Sequence, residues 1–156
     1  PWTVDFEQGP RGVAFPQLIS WTAHADPEVR HFAGLARYRA RFTLPEGWRK
    51  NGQGARIDLG RLWAIAEATL NGKPLGIAWT APFTLEAGAA LRTGENELAV
   101  EIVNTWHNRL VADAKLPPAE RRTRTNILVS MGKRWAELPP IESGLFGPVR
   151  LVAGRR

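Results

Sequence analysis

The chain contains no cysteine. Disulfides, thiolate nucleophiles and thiolate metal sites are thereby excluded. Histidine is scarce, and His24, His31 and His107 lack the paired helical spacing of a zinc enzyme. Ser20, Ser130 and Ser143 lack the Gly-x-Ser-x-Gly phrase of a nucleophile elbow. No apolar run approaches the roughly 18 residues of a membrane span, so no membrane partner is expected. Internal repeats, low-complexity tracts and interior linkers are missing as well. The sole methionine is Met131 and the first residue is Pro1, so the chain reads as a processed protein or a piece of a longer one.

What remains is 156 residues, 44% of them hydrophobic, with a net charge of +6. That suits a single globular domain with a real core. The positive charge comes from 17 arginines and 4 lysines, scattered from Arg11 to Arg156. Only Arg121, Arg122 and Arg124 cluster, so no nucleic-acid partner is expected. Seven tryptophans stand out. Indoles of this kind fill cores or stack on flat ligands, sugars among them.

The pattern is strand-like almost throughout. Residues 2–6 alternate, placing Trp2, Val4 and Phe6 on one face. Shorter candidates are Val13–Phe15 and Leu18–Trp21. In residues 35–44, Arg37, Arg39, Arg41 and Thr43 share a wet face, opposite Ala36, Tyr38, Ala40, Phe42 and Leu44. A flexible turn is expected at 50–54. Residues 55–60 and 64–70 resume the pattern, and Asn71-Gly72 marks a hairpin into 74–78. Residues 83–85 form a short segment. In 97–103, Leu98, Val100 and Ile102 point inward. From Asn104 to Ser143 the alternation fails; Leu110–Leu116 and Ala119–Arg122 are candidate helical turns within a long excursion. Leu145–Val152 reads as one closing strand. Some eight to ten short strands with Gly, Pro or Asn turns make an antiparallel β-sandwich. Trp2, Trp21 and Trp63, lying in apolar alternation, read as core, and so does Tyr38; Trp48 reads as packed or exposed.

Several phrases occur in a telling order. Tyr38-Arg39-Ala40-Arg41-Phe42-Thr43-Leu44-Pro45 precedes Arg56-Ile57-Asp58-Leu59-Gly60 and Leu70-Asn71-Gly72-Lys73-Pro74-Leu75-Gly76. Gly94-Glu95-Asn96-Glu97-Leu98, Asn104-Thr105-Trp106-His107-Asn108-Arg109-Leu110 and Glu142-Ser143-Gly144-Leu145-Phe146-Gly147-Pro148-Val149 follow. Together, over roughly residues 33–153, they resemble the sugar-binding jelly-roll domain of glycoside hydrolase family 2 enzymes. The similarity is greatest to the C-terminal, galactose-binding-like domain of family 106 α-L-rhamnosidases. The resemblance implies an all-β, antiparallel jelly-roll β-sandwich, galactose-binding-domain-like, occupying 1–156 and excised from a larger glycoside hydrolase. It also implies that the catalytic carboxylates lie on another domain of the parent chain, and that the setting is periplasmic or secreted.

The chemistry of the residues points the same way. A glycosidase needs two facing carboxyls. Asp113, Glu120, Glu137 and Glu142 all fall in the excursion, but solvated loop charges are the commoner reading, and the domain is expected to be non-catalytic. No cofactor is expected, and no run of acids supports a structural calcium. Sugar binding needs an aromatic face plus fixed donors and acceptors. Trp106, His107, Asn108 and Arg109 supply these at a strand end, with Asp113 just beyond and Trp79 and Trp135 as further platforms. Against this, Trp106 could be core, and Arg109 and Asp113 a structural pair. The Arg37, Arg39 and Arg41 stripe reads first as a solvated face, and second as a docking surface or a platform for acidic sugars. The expected function is a non-catalytic carbohydrate-binding or accessory domain of a bacterial glycoside hydrolase. Its partners would be plant or bacterial polysaccharide sugars and the parent's catalytic domain. The alternatives are a purely structural brace for a catalytic barrel, marked by an exposed apolar patch on one sheet face, and a small free-standing polysaccharide-acting enzyme.

Overall fold

A computed structural model describes residues 1–48, 54–127 and 133–153. Residues 50–53 of the turn expected at 50–54, and Ser130, lie outside the described residues. The strands are β1 (Trp2–Phe6), β2 (Val13–Phe15), β3 (Leu35–Leu44), β4 (Ala55–Asp58), β5 (Arg61–Trp63) and β6 (Ile65–Leu70). They continue with β7 (Lys73–Ala78), β8 (Thr84–Glu86), β9 (Gly94–Val103), β10 (Gly144–Gly147) and β11 (Arg150–Ala153). Two short helices are α1 (Pro27–Arg30) and α2 (His107–Asp113).

A six-stranded sheet runs in the order β2-β1-β3-β9-β6-β7. Its centre is the ten-residue β3–β9 ladder, from Leu35↔Val103 to Leu44↔Gly94. The other layer consists of β11-β4-β8 and the two-stranded β10-β5. All of these pairings are antiparallel. Val4, Phe6, Tyr38, Leu70, Val100 and Ile102 from the large sheet meet Ile57, Leu62, Leu85 and Leu145 from the small ones in one core. This is the antiparallel β-sandwich that the alternation predicts.

The turns follow local chemistry. Asn71 and Gly72 both have positive φ, as an Asn-Gly hairpin requires. The side chain of Asn96, from the Gly-Glu-Asn-Glu-Leu phrase, is buried and ties Arg92, Gly94 and Asn71 together. Both phrases thus close turns of the scaffold.

Four details differ from the sequence expectation. Residues 18–20 are not a strand, and Trp21 reaches the core from a 3₁₀ turn over Trp21–Ala23 capped by Ser20. The helix of the excursion begins earlier than expected, at His107, and a 3₁₀ turn occupies Pro118–Glu120. The closing segment is two strands. Gly147 has positive φ and Pro148 lacks an amide hydrogen, so the ladder with β5 stops and β11 pairs with β4 instead. Finally, Trp63 is not core but 46% exposed. In the three-residue β5, strand parity sends Leu62 inward and leaves Arg61 and Trp63 outside.

Candidate functional site

The excursion is built around buried amides. Asn104 accepts from the Gly34 amide and donates to the Phe32 carbonyl and Ser143 Oγ. In the first turn of α2, Asn108 Oδ1 accepts from the Ile141 amide at 2.8 Å. Its Nδ2 donates to the Ile141 carbonyl at 2.8 Å and to Ser143 Oγ at 3.0 Å. The Ser143 amide in turn donates to Ser20 Oγ at 3.0 Å. Asn108 therefore clamps the returning segment of the excursion on one side of Glu142, and Ser143 anchors the other.

Asp113 is equally internal. Its Oδ2 accepts from the Arg122 and Thr123 amides and the Thr123 hydroxyl. Its Oδ1 has no hydrogen-bond partner, and Arg109 Nη1 stands 3.6 Å away as the compensating charge. The structure thus pairs Arg109 with Asp113, with only 12% of the Arg109 side chain accessible. Nearby, Arg122 grips Glu28 of α1 through both carboxylate oxygens, at 2.5 and 2.7 Å. That guanidinium holds the Glu28 carboxyl below its ordinary range. Burial, and then the positive charge of Arg109, lower the pKa of His31 on the same side of α1.

His107 and Trp135 come together edge to face, with ring centroids 5.7 Å apart. Both are already engaged: His107 Nε2 lies 2.9 Å from the Pro139 carbonyl, and Trp135 Nε1 donates to the Ile127 carbonyl at 3.0 Å. Of the residues singled out from sequence, Trp79 and Trp106 present open rings, 74% and 61% exposed. Trp79 follows β7 and Trp106 caps α2. Asn108, Arg109 and Asp113 are a framework beneath the surface.

The arginine stripe is compensated. Arg37 pairs with Glu101, Arg39 with Asp5 at 2.6 Å, and Arg41 with Glu97 at 3.0 Å, all from neighbouring strands. Each positive charge has its carboxylate, so the stripe is a salt-bridged, solvated face.

A recess of a different composition lies on the β5–β10 ladder. It is a cleft of about 460 Å³ whose walls include Arg61, Trp63, Phe83, Glu142 and Phe146. Trp63 stands opposite Gly144 and Arg61 opposite Gly147, so neither meets a cross-strand side chain at its partner position. Phe146 falls in the register shift between Leu145 and Gly147. A bulge of this kind re-aims a side chain. The Arg61 guanidinium lies 5.4 Å from the centre of the Phe146 ring. Its Nη2 donates to Glu142 Oε2 at 2.8 Å. Glycine is required on both sides of this ladder. A Cβ on Gly60 would sit 2.5 Å from the Gly147 carbonyl carbon, and one on Gly144 would collide with the Trp21 and Tyr38 side chains. The Tyr38 hydroxyl also accepts from the Leu145 amide at 3.2 Å, docking β10 on the core. Sequence reasoning placed Trp63 inside and so missed this cleft. The available signal was the pair of glycines bracketing Leu145-Phe146.

Among the described residues, no group of three or more His, Asp or Glu side chains could hold a metal ion. No helix is long and apolar enough to cross a membrane among those residues.

No family model matches the chain. Along 96% of its length it is 34% identical to a protein of Formosa agariphila provisionally named a beta-glucuronidase, of which it covers 15%. It superposes over 96% of its length on the rhamnosidase of Novosphingobium sp. PP1Y, with a TM-score of 0.84 and 37% identity, and covers 14% of that enzyme. Over 66% of the chain, the β-D-glucuronidase of Dictyoglomus thermophilum shares the fold, with a TM-score of 0.58 and 20% identity. The chain thus corresponds to a small part of much larger glycoside hydrolases, as the resemblance in its motifs implied.

Proposed function

We propose that residues 1–156 are a single, non-catalytic carbohydrate-binding domain of a larger glycoside hydrolase. Its partners would be neighbouring domains of the parent chain and polysaccharide sugars. The observation that carries this reading is the exposure of three indoles, Trp63, Trp79 and Trp106, at 46%, 74% and 61%. A large flat apolar ring left in water has surface to gain by covering a sugar's C–H face. The relatives named as a rhamnosidase and glucuronidases supply the substrate context. Stacking plus a few hydrogen bonds gives micromolar to millimolar affinity. A glycan array probed with the chain, followed by calorimetry, tests it. Saturable binding of one sugar class, weakened by replacing one of the three tryptophans with alanine, is expected.

A second reading has its own observation. On the outer face of the large sheet, Ile65 lies directly across from Val103, Ile77 stands on the adjacent edge strand β7, and Trp79 lies just beyond its end. All four are exposed. Such a face suits a brace packed against another domain. A folded chain that binds no glycan on the array would sink the first reading and leave the brace in its place.

A further inference from the structure

We propose that the β5–β10 cleft is the subsite for one uncharged pyranose ring. Trp63 and Phe146 would be its platform, and Arg61 and Glu142 its hydroxyl-binding pair. This rests on the carbohydrate-binding reading and names the site and the ligand class within it.

The cleft's volume of about 460 Å³ lies within the roughly 300–1,000 Å³ typical of small-ligand sites. Its walls combine the two surfaces that a sugar presents. Trp63, Phe83 and Phe146 offer aromatic area to C–H groups. Arg61 uses a single N–H group on Glu142, so its remaining donors and Glu142 Oε1 have no protein partner among the described residues. A carboxylate oxygen beside guanidinium N–H groups can accept from one hydroxyl while the guanidinium donates to the next.

The pair also sets the charge of the ligand. Arg61 and Glu142 cancel, so the cleft has no net charge to reward an ionised sugar. An ionised sugar attracted to one member of the pair is repelled by the other 2.8 Å away, so the attraction and repulsion largely offset each other. The geometry is held from behind. Asn108 clamps Ile141, Ser143 is tied to Ser20, and Tyr38 holds Leu145, so Glu142 and Phe146 are fixed on either side of the buried residues 143–145. Preorganisation of this kind lowers the ordering cost of binding.

Calorimetric titration of the 156-residue chain with methyl glycosides of neutral hexoses and pentoses, and with glucuronate and glucosamine, tests the proposal. Glu142→Gln and Phe146→Ala are the cleft variants, Trp79→Ala and Trp106→Ala report on the two other exposed indoles, and Thr105→Ala, at an exposed position, is the control; each is checked for folding by circular dichroism. Glu142 sits on the exposed rim, so its amide variant keeps the fold. At least one neutral glycoside is expected to bind with millimolar affinity, to weaken tenfold or more in both cleft variants, and to be unchanged in Thr105→Ala. Binding that survives in the cleft variants but is lost in Trp79→Ala or Trp106→Ala would overturn the cleft and leave carbohydrate binding standing. Tighter binding of glucuronate or glucosamine than of any neutral glycoside would overturn the ligand class. No binding by the folded chain on either the glycosides or the glycan array would overturn both readings.

Discussion

Asn108 spends every polar atom of its side chain on the protein: one acceptor and two donor contacts, all directed at Ile141 and Ser143. Buried and fully engaged, it cannot also offer itself to a sugar. Replacing it with alanine removes the side-chain partners of the Ile141 amide and carbonyl, takes away one of the two amide donors to the Ser143 hydroxyl, and loosens the strap that carries Glu142. We expect Asn108→Ala to cost about 2 kcal/mol in urea unfolding, with Thr105→Ala, exposed on the neighbouring turn, inside about 0.5 kcal/mol. A loss equal to that control would mean the clamp contributes nothing. The sequence places Asn108 and Asp113 beside Trp106 but does not show which way each side chain turns. Both are buried within α2, while Trp106, at the cap, stays 61% exposed.

At the scale of elements, legibility follows length. β3 and β9 are ten residues each, long enough for alternation to declare their inner faces, and Tyr38, Leu98, Val100 and Ile102 are buried as expected. β5 has three residues, and its parity depends on how Gly60 turns the chain and on the partner it meets. Three residues carry too little pattern to decide between Leu62 and Trp63. The docking of α1 on the excursion is likewise invisible in sequence, since Glu28 and Arg122 are 94 residues apart. Its pH dependence has a definite sign. The pKa values of Glu28 and His31 both lie below their ordinary 4.5 and 6.5 in the folded chain. As pH falls, the unfolded groups bind protons first, so stability present above these values drains away toward acid. Stability should decline below about pH 6.5 through His31 and again below about 4.5 through Glu28. Arg122→Ala should flatten the lower limb alone, as read by unfolding midpoints across pH. An unchanged acid profile would show that the exposed pair is thermodynamically silent.

For the whole molecule, Tyr38 joins the layers. Its ring belongs to the core, and its hydroxyl accepts from the Trp21 indole N–H and the Leu145 amide. Burial pushes its pKa up from 10.0 to about 12. An unfolded tyrosine loses its proton first, so stability present below pH 10 is lost as pH rises toward 12, by roughly 2–3 kcal/mol. Tyr38→Phe should remove that alkaline slope while lowering stability at neutral pH by about 1–3 kcal/mol, because the Trp21 N–H loses its acceptor. An alkaline slope of the same steepness in the variant would assign it to other groups. The sandwich itself was set by local pattern: alternation, Asn-Gly and Gly-Glu-Asn turns, and motifs shared with glycoside hydrolases all act over a few residues and can be read in one dimension. The cleft was decided only by the tertiary structure. It needs a bulge at Phe146, glycines opposite Arg61 and Trp63, and an Arg61–Glu142 pair spanning 81 residues. Those relations arise when two short strands meet across a packed core, and a linear pattern does not record which distant residue stands opposite which.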